Sequence, residues 1–302
     1  MNGSALRLGI DLGGTKTEII ALDSNGVELY RQRMMTVKGD YYATLSGITQ
    51  LVLEAESVLG QQGTVGVGIP GTISEVTGRV KNANSTCLIG QPLREDLAQQ
   101  LSREIRVAND ADCFVSSEAG DGAGAGYDSV FGVILGTGVG AGVSVHGRLL
   151  PSPNGVAGEW GHNPMPWIDD VQRAAVGRCY CGQQGCIEQF LSGPALAARC
   201  FRETGRQLSA KELAIALNSD PAADSVFKRY VLDLCKGLAH VINLLDPQVI
   251  VLGGGVSNID RLYDLIPDSL GDYVFGGECS TPIVKNRHGD SSGVRGAAWL
   301  WP

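Results

Sequence analysis

The segment Asp11-Leu-Gly-Gly-Thr-Lys-Thr17 lies between two apolar runs, residues 6–10 and residues 18–22. Two adjacent glycines between runs of strand-forming residues predict an antiparallel hairpin with a tight turn. The segment has neither the spacing of a Walker phosphate loop nor that of a dinucleotide-binding Gly-x-Gly-x-x-Gly motif. It therefore predicts a strand-turn-strand unit of another kind.

A second copy of this plan occurs 123 positions later. The apolar run 130–135 precedes Gly136-Thr-Gly-Val-Gly140, and another apolar run, 141–145, follows. The shift places identical residues on each other: Gly9 on Gly132, Leu12 on Leu135 and Gly13 on Gly136. Both copies have their glycines at the turn, which predicts an internally duplicated α/β chain with two related domains facing each other across an interdomain cleft.

Strand and helix patterns alternate along the rest of the chain, as expected for an α/β protein. The predicted helices are 41–59, 93–105, 226–245, 259–265 and 293–301, and the predicted strands include 64–69, 105–108 and 248–252. The repeat sets the predicted domain boundaries. Residues 1–112 with 288–302 form a small α/β domain, and residues 113–287 form a large α/β domain.

The charge and hydropathy of the chain exclude several classes of protein. The formal net charge is −8 over 302 residues and Lys and Arg form no run, so nucleic acid is not an expected partner. About 18 consecutive apolar residues would be needed to predict a membrane span, and the chain has no such run. The first ten residues lack the apolar core of a signal peptide. We expect a cytoplasmic protein with no membrane partner.

The first hairpin can bind phosphate through its backbone. Gly13 and Gly14 lack a Cβ, so their N–H groups can approach phosphate oxygens closely. Thr15 adds a hydroxyl, Lys16 adds a cation, and Asp11 can hold magnesium through water. The alternative is an ordinary hairpin with a Gly-Gly turn. The second turn, Gly136, Thr137 and Gly138, is the matching candidate, and it too has a purely structural alternative.

One histidine and three cysteines form a candidate metal site. His162 precedes Cys179-Tyr-Cys181-Gly-Gln-Gln-Gly-Cys186, in which three of the eight cysteines fall within eight residues. One imidazole and three thiolates are a complete tetrahedral ligand set for zinc. Because four protein ligands leave no open position, the predicted zinc is structural. The alternative is a group of buried free cysteines.

Asn109-Asp110 directly follows the predicted strand 105–108. Phosphoryl transfer to an alcohol needs a group that orients the hydroxyl and receives its proton, and a carboxylate at a strand end suits that role. The alternative for one of the two residues is capping of the helix that begins near Ala111.

Together these motifs resemble the ROK family of sugar kinases and repressors, which has the actin-like ATPase (ribonuclease H-like) fold. The pattern Gly-His followed by Cys-x-Cys-Gly-x-x-Gly-Cys-x-Glu is similar to the zinc signature of that family, and the likeness extends from Asp11 to residues 293–299. The resemblance implies ATP, catalytic Mg²⁺ and structural Zn²⁺, with Asp110 as the catalytic base. It implies that Gly253, Gly254 and Gly255 contact adenosine. The implied sugar ligands are Gly71, Asn84, Asn109, Asp110, Glu159, His162 and Glu188.

Within the family the chain looks most like bacterial fructokinases. We therefore expect ATP-dependent phosphorylation of a free hexose, D-fructose to fructose 6-phosphate, by a homodimer. The alternatives are a glucose, mannose or N-acetylhexosamine kinase, and a sugar-binding module without activity. A sugar-responsive transcriptional repressor is disfavoured, because such repressors carry a helix-turn-helix segment before the first strand and only five residues precede Leu6.

Overall fold

The computed structural model describes residues 6–83 and 85–301. The strands are β1 (Arg7–Leu12), β2 (Lys16–Leu22), β3 (Glu28–Met35), β4 (Thr64–Ile69), β5 (Thr72–Ile73), β6 (Val80–Lys81), β7 (Ile105–Asn109), β8 (Ser129–Leu135), β9 (Val139–Val145), β10 (Arg148–Leu149), β11 (Val249–Gly253) and β12 (Ile283–Lys285). The helices are α1 (Tyr41–Leu59), α2 (Leu93–Leu101), α3 (Asp110–Gly120), α4 (Asp170–Ala175), α5 (Glu188–Leu191), α6 (Gly193–Thr204), α7 (Ala210–Ala216), α8 (Pro221–Leu245), α9 (Arg261–Leu270) and α10 (Ser292–Ala298). Within the two described ranges, none of the helices has the length and apolar character that crossing a membrane requires.

Two five-stranded sheets share one topology. The first has the order β3-β2-β1-β4-β7, in which β3, β2 and β1 are antiparallel and β1, β4 and β7 are parallel. The second has the order β10-β9-β8-β11-β12, in which β10 is antiparallel to β9, and β8, β11 and β12 are parallel. The hairpin β1–β2 therefore corresponds to β8–β9. This equivalence confirms the internal duplication that the glycine pattern predicted.

The chain divides into two compact units. Unit 1 comprises Met1–Gly126, Gly142–Ala157 and Arg287–Pro302, and unit 2 comprises Tyr127–Ala141 and Gly158–Asn286. Unit 1 thus includes residues 113–126 and 142–157, which the sequence-based division assigned to the large domain. The predicted domain boundaries at 112/113 and 287/288 stay a prediction.

Each unit has its own apolar core. In unit 1 the side chains of β1, β4 and β7 pack against α1 and α2, with Leu8, Ile48 and Leu97 among the fully buried residues. In unit 2 the long helix α8 is buried along one face against α6 and α9, and Phe227 and Tyr230 stack within it. These cores hold the strand ends from which the candidate site residues project.

Several elements differ from the sequence prediction for local reasons. Helix α2 ends at Leu101 rather than at residue 105, because Ser102 adopts a left-handed φ of 53°. Helix α8 begins at Pro221 rather than at residue 226, with Asp220 as its N-cap and proline in the first turn. Strand β3 was not predicted, since its mostly polar, half-exposed sequence has no strong alternation. Helix α9 continues to Leu270, past the predicted end at residue 265.

Glycines let α10 lie directly on the sheet of unit 1. Gly9 in β1 and Gly66 in β4 are paired in the parallel register, and α10 crosses both. A Cβ on Gly66 would lie 1.9 Å from the carbonyl oxygen of Ala297, and a Cβ on Gly9 would lie 2.2 Å from that of Val294. The helix α10 also contacts α3, where a Cβ on Gly296 would lie 1.6 Å from the carbonyl oxygen of Cys113. Backbone therefore packs on backbone at this point, which only glycine permits.

Replacement of Gly66 by alanine is expected to destabilise the protein by about 2–3 kcal/mol, because the new methyl group must displace α10 or the strand. The measurement is chemical denaturation of Gly66→Ala followed by circular dichroism.

Gly47→Ala is the matched control. Gly47 is buried in α1, but an added Cβ there meets only the flexible end of Met34, 3.0 Å away. We expect a change within about 1 kcal/mol, with helix propensity favouring alanine. Equal losses in the two variants would show that α10 does not depend on the absence of a side chain at Gly66.

Candidate active site

The first glycine turn has the geometry that the sequence predicts. The N–H of Gly13 donates to the carbonyl of Lys16 at 3.0 Å, and a Cβ on Gly13 would stand 2.8 Å from the same oxygen. Gly14 has open space beside it, with the nearest side-chain atom 4.0 Å away, and Gly14, Thr15 and Lys16 are exposed. Gly13 therefore shapes the turn, whereas Gly14 leaves backbone accessible to a ligand.

Asp11 lies at the end of β1 with its carboxylate partly buried. Burial, followed by the charges of Asp110 and Glu18, raises the pKa of Asp11 from 3.8 to about 6. Gly293, the second residue of α10, lies directly beside this carboxylate, since a Cβ there would be 3.3 Å from Asp11 Oδ2. Asp11 is thus held near a second acidic group in a partly desolvated place.

Asp110 is the first residue of α3, directly after β7. Burial raises its pKa, and hydrogen bonds to its carboxylate act in the opposite direction. One of these comes from the N–H of Ala111, which donates to Asp110 Oδ1 at 2.8 Å. The N-terminus of a helix favours negative charge. A carboxylate that is desolvated yet still supported in this way is a competent proton acceptor at neutral pH.

Asn109 is the N-cap of α3. Its side-chain oxygen accepts from the N–H of Ala111 at 2.9 Å, and its amide nitrogen donates to the carbonyl of Gly71 at 3.1 Å. The capping alternative considered for this pair of residues therefore holds for Asn109. Gly71 has a φ of 147°, and a Cβ there would clash with Lys81 and Ala83. Asn84, the remaining predicted sugar ligand on this side, lies outside the described residues.

Cys113 is a neighbour of the aspartates that the sequence reasoning missed. Its thiol is fully buried one turn after Asp110. Burial, with added repulsion from Asp11, Asp112 and Asp110, raises its pKa far above the ordinary value. The thiol therefore stays neutral and adds no charge beneath the two carboxylates.

In unit 2 the second glycine turn is fastened to Glu188. The N–H of Gly136 donates to the carbonyl of Gly138 at 3.0 Å, so this turn is one residue tighter than the first, in which Gly13 donates to Lys16. The carboxylate of Glu188, at the start of α5, accepts from the N–H of Val139 at 2.9 Å. A Cβ on Gly138 would lie 2.6 Å from the same carboxylate oxygen. Thr137 lies between the two glycines at the tip of the turn.

The run Gly253, Gly254 and Gly255 follows the buried strand β11. Gly254 has a φ of 81°, and a Cβ there would lie 2.6 Å from the backbone of Leu135 at the end of β8. Gly255 has no atom within 4 Å of its Cβ position and begins a short 3₁₀ turn. Gly254 therefore permits the close approach of two strand ends, and Gly255 leaves open space next to them.

The four predicted metal ligands are brought together. One ligand atom from each of His162, Cys179, Cys181 and Cys186 lies within 4.8 Å of all the others. His162 Nδ1 is 3.6 Å from Cys179 Sγ, and the sulfur atoms of Cys181 and Cys186 are 3.6 Å apart. Thiolates about 2.3 Å from a tetrahedral zinc would be separated by about 3.7 Å. The donor set and its spacing therefore fit zinc.

Gln189 braces the cysteine loop, a role that the sequence reasoning missed. Its side-chain oxygen accepts from the N–H groups of Gly185 and Cys186, and its amide donates to the carbonyls of Val176 and Gly177. The residue follows Glu188 in α5, so the element that carries a predicted sugar ligand also anchors the loop. No local pattern marks this role, because the partners come from both ends of the loop.

His162 and Glu159 come from one short turn. His162 ends the 3₁₀ turn Trp160–His162, and Glu159 precedes it with its side chain exposed. With Nδ1 facing the cysteines, the Nε2 atom of His162 lies 2.8 Å from the hydroxyl of Tyr180. Sequence analysis predicted His162 both as a metal ligand and as a sugar ligand, which would leave its second nitrogen for a sugar oxygen, and the structure places the hydroxyl of Tyr180 there.

The raised pKa of Asp11 predicts a pH-dependent stability effect. The folded carboxyl binds its proton more tightly than the unfolded one, so the charge on Asp11 destabilises the fold as the pH rises from about 4 to about 6. Asp11→Asn should therefore be more stable than the wild type above pH 6, by about 2–3 kcal/mol at most, and by little at pH 4. Thermal unfolding between pH 4 and pH 8, without nucleotide or divalent cation, measures the difference.

Asp268→Asn, at an exposed position of α9, is the control and should follow the wild type across this pH range. If the stability of Asp11→Asn and of the wild type changed with pH in parallel, the ionised carboxylate of Asp11 would not destabilise the fold.

Comparison with known proteins places the chain in a family. The ROK family profile matches residues 7–302. An N-acetyl-D-glucosamine kinase from Pectobacterium carotovorum is 38% identical over 299 residues, 97% of each protein. A ROK hexokinase from Thermus thermophilus is 28% identical and superposes with a TM-score of 0.85 over 98% of this chain and 97% of that chain. A ROK family glucokinase from Streptomyces griseus, in complex with glucose and AMPPNP, is 27% identical, with a TM-score of 0.76 over 98% and 99%.

These similarities span almost the full length of the chain and of its relatives. They confirm the predicted actin-like ATPase fold, a mixed α/β architecture with two sheets. They also confirm the predicted class of reaction, for which sugar and ATP are the substrates. The chain belongs to the ROK family and is an ATP-dependent hexose kinase.

Proposed function

We propose that this kinase transfers the γ-phosphoryl group of ATP to the 6-hydroxyl of N-acetyl-D-glucosamine. The observation that carries the proposal is the 38% identity, over 97% of both chains, to a kinase named for that sugar. A second such kinase, from Haemophilus influenzae, is 36% identical over 298 residues. D-fructose, the sugar expected from sequence, has less support than this alternative, because these relatives carry the name of the acetylated sugar.

Asp110 is the proposed general base. Its carboxylate is partly desolvated, which raises its pKa and makes it a better proton acceptor than an exposed aspartate. As the sugar oxygen bonds to the γ-phosphorus, its proton passes to Asp110 and the bond from phosphorus to the bridging oxygen of ADP breaks. The N–H of Ala111 fixes the carboxylate for this transfer.

Asp11 and the glycine turns are proposed to serve the phosphates. Magnesium prefers oxygen ligands and keeps several of its waters, so a single carboxylate such as Asp11 suffices as its protein anchor. The ion would also offset the repulsion between Asp11 and Asp110. The exposed backbone at Gly14 is available to phosphate oxygens, with Thr15 and Lys16 beside it. Gly138 and Gly255 would do the same in unit 2, the latter next to the adenosine.

Glu159, His162 and Glu188 are proposed to hold the sugar. Carboxylates accept hydrogen bonds and the Nε2–H of a metal-bound imidazole donates one, which suits a ligand with several hydroxyl groups. Glu188 has one carboxylate oxygen on the N–H of Val139, so its orientation is fixed before a sugar arrives. Asn109 supports this set less directly, because both ends of its amide already have partners.

Zinc is proposed as the structural ion of the His162 and cysteine cluster. The ion would cross-link the turn that carries Glu159 and His162 to the cysteine loop and to α5, which carries Glu188. Its contribution would be to hold these ligands in place, since four protein donors leave no position for a substrate.

A panel of free sugars tests the substrate assignment. The values of kcat/KM are measured for N-acetyl-D-glucosamine, N-acetyl-D-mannosamine, D-glucose, D-mannose and D-fructose, and the phosphorylated position is read from the product. N-acetyl-D-glucosamine is expected to have the highest value. One missing or misplaced polar contact is worth about 1–3 kcal/mol, so the other sugars should be about 5- to 150-fold poorer.

A higher kcat/KM for D-fructose would overturn the substrate assignment and restore the expectation from sequence. A product phosphorylated at the 1-position would overturn the proposed attack by the 6-hydroxyl. Neither result would affect the assignment as an ATP-dependent hexose kinase.

Metal analysis tests the zinc proposal. The purified protein should contain about one zinc per chain, and Cys186→Ser should lose it together with several degrees of thermal stability, because binding of a structural metal stabilises the folded state. Cys200→Ser is the matched control, since Cys200 is equally buried but lies in α6, next to Thr204. Folded, active protein without zinc would contradict the proposal.

A further inference from the structure

Tyr180 stands at the one ring nitrogen of His162 that does not face the cysteine cluster. Its hydroxyl is 2.8 Å from His162 Nε2, and the two rings are nearly perpendicular, with centroids 4.9 Å apart. The other nitrogen, Nδ1, faces Cys179 Sγ at 3.6 Å. Both nitrogens of the imidazole are therefore engaged by side chains of the protein.

The hydrogen bond between these rings leaves no free donor for a sugar. A neutral imidazole whose Nδ1 is a metal ligand carries its single N–H at Nε2, and that N–H donates to the oxygen of Tyr180. A sugar oxygen that accepts from the same N–H must first displace the tyrosine hydroxyl. The tyrosine and the sugar thus compete for one donor.

Little else restrains the tyrosine side chain. Its residue is 82% exposed, and among the described residues His162 is the one hydrogen-bond partner of its hydroxyl. Its backbone, in contrast, lies between Cys179 and Cys181, two members of the cluster. A fixed backbone with a loosely held side chain allows the ring to turn away by side-chain rotation alone.

We propose that Tyr180 is a specificity-determining residue that occupies the sugar-binding nitrogen of His162 until a sugar oxygen displaces it. The inference rests on the proposed role of His162 in holding the sugar. A ligand that offers an acceptor to Nε2 regains the hydrogen bond that displacement breaks. A ligand without that acceptor leaves Tyr180 in place, so it gains nothing from the removal of the hydroxyl.

Tyr180→Phe removes the competing hydroxyl and keeps the ring. The variant should have a KM for N-acetyl-D-glucosamine about 2- to 10-fold lower than the wild type, because one exposed hydrogen bond no longer has to be broken, while kcat and zinc content stay unchanged. Tyr42→Phe, at an exposed tyrosine of α1, is the matched control and should leave KM unchanged.

Monodeoxy sugars identify the sugar oxygen that competes with the hydroxyl of Tyr180. Dissociation constants are measured for D-glucose and its 1-, 2-, 3- and 4-deoxy analogues with wild type and Tyr180→Phe. The gain should appear with D-glucose and be absent for the one analogue that lacks the oxygen facing His162. A gain of equal size for every analogue would overturn the competition, since it would not depend on any single sugar oxygen.

Other outcomes separate this inference from the proposed function. An active wild type with an unchanged or raised KM in Tyr180→Phe overturns the role of Tyr180 alone. Loss of zinc from Tyr180→Phe with an unchanged KM shows that the tyrosine only orients His162 for the metal. A wild type that phosphorylates no sugar of the panel contradicts the proposed function, and the inference falls with it.

Discussion

Repulsion between two neighbouring carboxylates is the constraint on which the proposed phosphoryl-transfer site depends. Asp11 at the end of β1 and Asp110 after β7 lie close enough for the charge of Asp110 to raise the pKa of Asp11, and burial raises the pKa of both. Two ionised carboxylates this close together, in a partly desolvated place, lower the stability of the fold. Here the backbone N–H at the start of α3 supports Asp110, and the neutral thiol of Cys113 adds no further charge. The remaining strain suits a site that binds a divalent cation.

Helix α10 packs closely on the sheet that carries Asp11. Gly9 and Gly66 let the helix rest on β1 and β4, and Gly296 lets it meet α3. Gly293 in the same helix stands beside Asp11 without a side chain to cover it. The absence of Cβ atoms therefore lets α10 lie close to the sheet, to α3 and to Asp11. The cysteine loop of unit 2 uses a different device, in which Gln189 braces the backbone and four soft ligands fit a metal ion.

Sequence alone predicted the features of the molecule that are marked by characteristic residue types at short spacings. The paired glycine turns, the duplicated sheet topology and the cysteine cluster follow from residue types at short spacings, and the structure has all three. Strand β3 escaped prediction because its register is set by β2 and not by its own pattern. The contact of Tyr180 with His162 and the contacts of Gln189 with the cysteine loop were missed, because the partners of these residues are distant or unpatterned in the chain. The preferred sugar was harder still to predict, since carboxylates and an imidazole bind the hydroxyl groups of many hexoses alike.

In the proposed mechanism Asp110 receives the proton of the sugar hydroxyl during transfer from ATP. The most direct test is rapid-quench single-turnover kinetics of Asp110→Asn with saturating sugar and ATP, alongside calorimetric measurement of sugar binding. The rate of phosphoryl transfer is expected to fall by roughly 100-fold or more, while the dissociation constant for the sugar changes only a few-fold. A transfer rate near that of the wild type would contradict this mechanism and leave Asp110 as a residue that only supports the start of α3.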